Sequence, residues 1–188
     1  MIILIDMDDT MEQLLRAWLR AVNKKYNRNA VYDEVRAWDV SKAYPGLTHD
    51  QVYGVLSEPG FWKTVEPMPD APQVIRRLMD RGHEVFVVTA STYDTVRQRM
   101  EDHLFRHFPF LSPEQVIITF RKQLLQGDIL IDDGVHNLEG GSYKKILVTA
   151  PYNEDYDAEG HGMIRVHSWK EIETAVLQLE EEDKDETV

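Results

Sequence analysis

Short apolar runs alternate along this chain with longer stretches of helical periodicity. The runs are Ile2–Ile5, Val85–Val88, Val116–Ile118, Ile129–Ile131 and Ile146–Val148, with a weaker sixth at Ile164–Val166. Each is rich in Val, Ile or Leu and lacks polar alternation, as expected of strands covered on both faces. Between them, Ala71–Arg81 carries Val74, Ile75 and Leu78 on one face and stops at Gly82. Tyr93–His107 spaces Val96, Met100 and Leu104 as a helix would. Ser168 with Glu171 three residues on forms a capping box that opens a last helix. Strands alternating with helices predict an α/β fold with a parallel sheet covered on both faces.

One stretch breaks the alternation. From Leu14 to Trp62 no buried strand is evident, only helical patterns (Leu14–Tyr26, then Asp50–Leu56) and aromatic residues. The segment is too long for a crossover helix and predicts a small helical cap inserted after the first strand. The expected organisation is a Rossmann-like core of residues 1–13 and 69–179, a cap of residues 14–68, and an acidic disordered tail of residues 180–188.

Composition narrows the function. The 188 residues suit one domain with an insertion. The formal net charge of −12 disfavours polymeric nucleic acid and anionic membranes, both of which need a basic footprint. Cys is absent, which excludes disulfides, thiolate metal sites and a cysteine nucleophile. No apolar stretch approaches the ~20 residues that span a bilayer, and no targeting segment is visible. A soluble cytoplasmic protein is expected, with a homodimer open.

Polar residues follow the strands where an open parallel sheet binds ligands, beyond the carboxyl ends. Ile2–Ile5 runs into Asp6 and Asp8, Val85–Val88 into Thr89, and Ile129–Ile131 into Asp132 and Asp133, while Lys122 follows the Val116–Ile118 strand. Converging carboxylates call for a cation, and hard oxygen ligands without Cys or paired His suit Mg²⁺. The expected ligands are an Asp6 oxygen, the Asp8 backbone carbonyl and a carboxylate from Asp132 or Asp133, with Asp133 favoured. The other Asp6 oxygen attacks phosphorus, and Asp8 protonates the leaving alcohol and then activates water. Thr89, Lys122 and the neighbouring Ala90 and Ser91 hold the phosphoryl oxygens, with Thr10 also beside the substrate. Asp9 is not expected to be catalytic. Trp18 and Trp38 are expected in the cap interior, and His103 and His107 on an exposed helix face.

This ordered set resembles the haloacid dehalogenase superfamily. Asp6-Met7-Asp8-Asp9-Thr10 is similar to its first motif, Thr89 to its second, Lys122 to its third, and Gly127–Asp133 to its fourth. Within the superfamily, Pro59–Ala71 and Leu130-Ile131-Asp132-Asp133-Gly134 resemble the corresponding segments of 5′(3′)-deoxyribonucleotidases, although Asp9 and Asp70 stand where Gly is common there. The resemblance implies hydrolysis of a small phosphate ester, a deoxynucleoside monophosphate. Phe61 and Trp62 are candidates to face the base. Competing readings are a phosphatase or phosphomutase for another ester, such as a sugar phosphate, and a phospho-accepting receiver module. A receiver carries its aspartate on a middle strand and has no cap.

Overall fold

The structure, a computed structural model, describes residues 1–186. Six strands form one parallel sheet: β1 (Ile2–Asp6), β2 (Glu84–Thr89), β3 (Val116–Ile118), β4 (Ile129–Asp132), β5 (Lys144–Val148) and β6 (Met163–Val166). Their order is β3-β2-β1-β4-β5-β6, so the chain winds outward in both directions from β1. The ends of β1 and its two neighbours therefore border the crevice where such sheets bind ligands. All six apolar runs are strands.

Both sheet faces are covered. Ile3 and Ile5 pack with α3 (Ala71–Asp80), through Val74, Ile75 and Leu78, and with α7 (Trp169–Glu186), through Ile172 and Val176. Leu4, Val88, Leu130 and Leu147 point to the other face, where α6 (Val135–Leu138) supplies Leu138. Each such fully buried aliphatic side chain contributes roughly 1.5–3 kcal/mol relative to exposure.

Residues between β1 and α3 gather around a separate apolar cluster. It joins Leu15, Trp18, Leu19 and Val22 of α1 (Leu14–Tyr26) to Val52 of α2 (His49–Tyr53) and to Tyr44, Phe61, Trp62 and Val65. The two stems of this insertion are stitched together. Met68 N donates to Met11 O at 2.8 Å and Gln13 N to Glu66 O at 2.9 Å. Asp70 opens α3 with φ 67°, in the left-handed region where glycine is otherwise favoured.

Two expectations are corrected. The acidic tail is helical as far as α7 describes it, through Glu186. Glu180 is held by Arg81 at 2.9 Å and by Lys184 one turn on at 2.8 Å, so the run is helical and tied to α3's end at its first residue. Residues 187–188 lie outside the described residues. The segment after β2 is also not one regular helix: α4 (Tyr93–Gln98) and α5 (Phe105–His107) flank a π-helical turn over Arg99–Leu104.

Candidate active site

Parallel register alone gathers the candidate residues. Asp6 pairs with Val88, which sets Thr89 one residue farther along the adjoining strand. On the other side Ile5 pairs with Ile131, placing Asp132 alongside Asp6 and Asp133 one residue beyond. The carboxylates of Asp6, Asp132 and Asp133 offer oxygens that all lie within 4.8 Å of one another, and all three residues are buried.

Lys122 reaches this cluster from the 3₁₀ turn after β3 and is only 2 % exposed. Its Nζ donates to Asp6 Oδ1 and, at 2.6 Å, to Asp132 Oδ2. Burial would lower its pKa, but the carboxylates of Asp132 and Asp6 outweigh that and hold it above the usual lysine range. Burial pushes Asp6 well above the usual carboxylate range; Asp132, Asp133 and Asp8 add to the effect and Lys122 opposes it. Asp133 is raised in the same way, by burial first and then by Asp132. One ammonium does not neutralise three buried carboxylates, so the donor set fits a divalent cation with hard oxygen ligands.

The Asp132-Asp133 pair divides its work. Asp132 Oδ1 accepts from Gly134 N at 2.7 Å and Asn137 Nδ2 at 3.0 Å, while its Oδ2 faces Lys122. Asp133 Oδ1 accepts from the Thr10 hydroxyl at 3.2 Å and Oδ2 from the Tyr152 hydroxyl. Asp133 borders the open cavity together with Asp6, and Asp132 does not. Asp133 thus opens on the cavity, while Asp132 fixes Lys122.

The cavity, about 760 Å³, lies between the strand ends and the inserted helices. Asp6, Asp8, Lys122 and Ala90 line its floor, and Trp18, Tyr53, Trp62 and Trp38 contribute aromatic wall. This volume falls in the range of ordinary small-molecule pockets, roughly 300–1,000 Å³.

Several expectations shift. Trp62 lines the cavity, but Phe61 is buried in the cap cluster behind it, with ring centroids 5.4 Å apart. Trp38 is 51 % exposed rather than internal, and its ring meets His136 at 4.7 Å and Tyr152 at 5.2 Å across the cavity mouth. Trp18 belongs to the cap cluster and shows one edge to the cavity. Thr10 is fully buried and off the cavity wall; its hydroxyl supports Asp133 instead. Ser91 also lies off the wall, its hydroxyl turned to Thr92 O and Thr95 Oγ1, both at 3.3 Å. Asp9 has φ 50°, and both of its carboxylate oxygens accept from Leu15 N, at 3.0 and 3.1 Å. It satisfies an orphan N–H in the first turn of α1, which is a structural task.

Three buried polar residues behind Asp8 escaped the sequence reading. Arg99 donates to the Asp8 carboxylate, to Thr89 Oγ1 at 2.8 Å and to Ala90 O at 2.9 Å. His103, expected on an exposed face, is fully buried, with Nε2 at 2.7 Å from Glu12 Oε2 and Nδ1 at 2.9 Å from Val65 O. Burial raises Glu12 and lowers His103 to about 4. Both shifts favour a neutral pair, with Nδ1 on Val65 O and Nε2 facing the Glu12 carboxyl. Residues 95, 99 and 103 recur at helical spacing as a polar stripe, which was the available signal for Arg99 and His103.

The sequence profile described as 5′ nucleotidase, deoxy (Pyrimidine), cytosolic type C protein matches residues 1–181. A 5′(3′)-deoxyribonucleotidase of Bacillus subtilis (strain 168) is 33 % identical over 178 residues, covering 94 % of this chain and 98 % of that protein. One of Clostridium acetobutylicum is 27 % identical, covering 94 % and 95 %. Among solved structures, a HAD family hydrolase from Deinococcus radiodurans R1 with bound phosphate and sodium superposes with TM-score 0.59 at 16 % identity, covering 95 % of each chain. A putative phosphoglycolate phosphatase from Lactobacillus delbrueckii subsp. bulgaricus gives TM-score 0.63 at 14 % identity, covering 93 % and 97 %. These two likenesses are of fold. The chain belongs to the 5′ nucleotidase, deoxy (Pyrimidine), cytosolic type C protein family, whose members are phosphoric monoester hydrolases on the haloacid dehalogenase fold.

Proposed function

We propose that the protein is a magnesium-dependent 5′(3′)-deoxyribonucleotidase that transfers the phosphoryl group to Asp6 before water releases it. The observation that carries this reading is the buried Asp6–Asp132–Asp133 cluster with Lys122 driven into it, at the floor of an aromatic-walled cavity.

Lys122 holds Asp6 Oδ1, which orients the carboxylate and lessens its repulsion of an arriving phosphate dianion. The other Asp6 oxygen attacks phosphorus, the ester P–O bond breaks, and Asp8 gives its proton to the departing alkoxide. Asp8 then takes a proton from water, which attacks phosphorus and returns Asp6 as a carboxylate. Ala90 bounds the phosphoryl pocket, and Thr89 lies buried behind it with its hydroxyl accepting from Arg99. Asp6, Asp133 and the Asp8 carbonyl would hold Mg²⁺, which when bound supplies charge neutralisation between nucleophile and phosphoryl oxygens.

In this reading the inserted helices select the leaving group. Trp18 and Trp62, nearly buried, line the cavity beside Tyr53 and lend it an apolar wall suited to a nucleobase. A cytoplasmic enzyme acting on free nucleotides accords with the net charge of −12. No helix among the described residues is long and apolar enough to cross a membrane.

Phosphate release from a panel of deoxyribonucleotides, ribonucleotides and sugar phosphates, with and without Mg²⁺, tests the proposal. Metal-dependent turnover that favours deoxynucleoside monophosphates is expected. A strong preference for sugar phosphates would remove the nucleotidase assignment.

A further inference from the structure

Arg99 opens the π-helical turn between α4 and α5, a departure from α geometry frequently found at functional sites. The residue is 4 % exposed, yet it borders the cavity. Its terminal nitrogens are fully directed: Nη2 to the Asp8 carboxylate and to Thr89 Oγ1 at 2.8 Å, Nη1 to Ala90 O at 2.9 Å. The guanidinium carbon lies 4.7 Å from the Trp62 ring centroid, so the group is sandwiched between the cap and the end of β2. Its Nε is buried and has no hydrogen-bond partner. A guanidinium is costly to desolvate, and one hydrogen-bonded to two separate chain segments, at Asp8 and at Thr89–Ala90, is hard to replace with lysine, whose point charge cannot reproduce the fork.

The carboxylate that Arg99 holds is unlike its neighbours. The Asp8 side chain is 29 % exposed, whereas the Asp6 and Asp132 side chains are 7 % and 0 % exposed and locked by Lys122. The Asp8 carboxylate instead takes its ion pair from Arg99, which fixes where it points.

We propose that Arg99 is the positioning residue of the acid/base step: it clamps the Asp8 carboxylate against the Thr89–Ala90 corner, so that proton delivery to the leaving oxygen depends on it. This rests on the phosphatase reading and names the residue that makes its acid/base group usable. Arg99 acts through Asp8, and its loss should be felt in proportion to how much the leaving group needs a proton.

The test compares two esters by kcat/KM, which reports steps through phosphoryl transfer to Asp6. A deoxynucleoside 5′-monophosphate releases an alkoxide that must be protonated; p-nitrophenyl phosphate releases a phenolate that need not be. Arg99→Met is expected to lose about 100-fold on the nucleotide and less than about fivefold on p-nitrophenyl phosphate, the pattern Asp8→Asn should set. Arg99→Lys, which keeps the charge and guards against a folding failure in the first variant, should show the same split to a smaller degree. Equal losses on both esters would mean that Arg99 binds phosphate or only supports the fold, and would overturn the proposal. So would unchanged kinetics on both. The phosphatase reading fails separately, if the wild-type protein releases phosphate from neither ester or Asp6→Asn is as active as wild type.

Discussion

Lys122 and Asp132 meet at 2.6 Å in the protein interior, and the same ammonium also bonds Asp6. A single side chain thus ties the end of β1 to the end of β4 from beyond β3. Breaking a buried pair by removing one partner costs about 3–5 kcal/mol, because the other charge is left uncompensated. Lys122→Met should therefore lower the thermal midpoint of the metal-free protein clearly and reduce kcat by roughly 100-fold or more. Calorimetry with a chelator and steady-state kinetics check the two halves. Loss of activity with no loss of stability would mean that the buried pair is not the anchor described here.

The raised carboxyls of Asp6 and Asp133 give a signed pH dependence. A group whose folded pKa lies above its unfolded value stabilises the fold below the unfolded pKa and loses that contribution as pH rises through the folded pKa. Metal-free protein should lose this part of its stability on going from about pH 4 toward neutrality. Mg²⁺ binding must displace those protons, so its affinity should rise with pH and binding should release protons. Titration calorimetry in buffers of different ionisation enthalpy measures both. Proton-neutral, pH-independent Mg²⁺ binding would contradict the assignment.

Tyr152 donates its hydroxyl to Asp133 Oδ2, and burial, with Asp133 adding, holds its pKa well above the usual tyrosine range, so it remains a donor. Tyr152→Phe should weaken activation by Mg²⁺ about 10–100-fold while leaving kcat at saturating metal nearly intact. The activation constant, taken from rate against Mg²⁺ concentration, is the relevant readout. A fall in kcat with unchanged metal dependence would place Tyr152 in the chemistry instead.

Asp9 caps the start of α1 and holds a left-handed backbone. Asp9→Ala should cost about 1–2 kcal/mol in denaturant unfolding, with kcat changed by less than about threefold. Asp9→Asn, which tolerates both demands, should cost less. A collapse of turnover in Asp9→Asn would show that its charge takes part in catalysis.

The sheet and the gathering of polar residues at its strand ends were legible because continuous Val/Ile/Leu runs ending in Asp, Thr or Asp-Asp constrain both fold and polarity. The insertion was legible as a long gap in the strand rhythm. The support behind Asp8 was not. Arg99 and His103 sit on a helix where polar residues ordinarily face water, and only the tertiary partner Glu12, on the stem after β1, shows that this face is internal. Tyr152 follows β5 in an irregular segment with no periodicity to place its hydroxyl. Phe61 and Trp62 are adjacent in sequence, and which of them meets the cavity is decided by the 3₁₀ turn that carries them. The tie at the start of the acidic run was not legible because Glu180's partner, Arg81, lies at the far end of α3.

Asp6, as the proposed nucleophile, should carry a phosphoryl group during turnover. Acid-quenching the enzyme within one turnover of a deoxynucleoside monophosphate, reducing with borohydride and mapping peptides should convert Asp6, and no other acid, to homoserine. Hydrolysis proceeding with Asp6 never modified, or with the label on Asp8, Asp132 or Asp133, would contradict the mechanism.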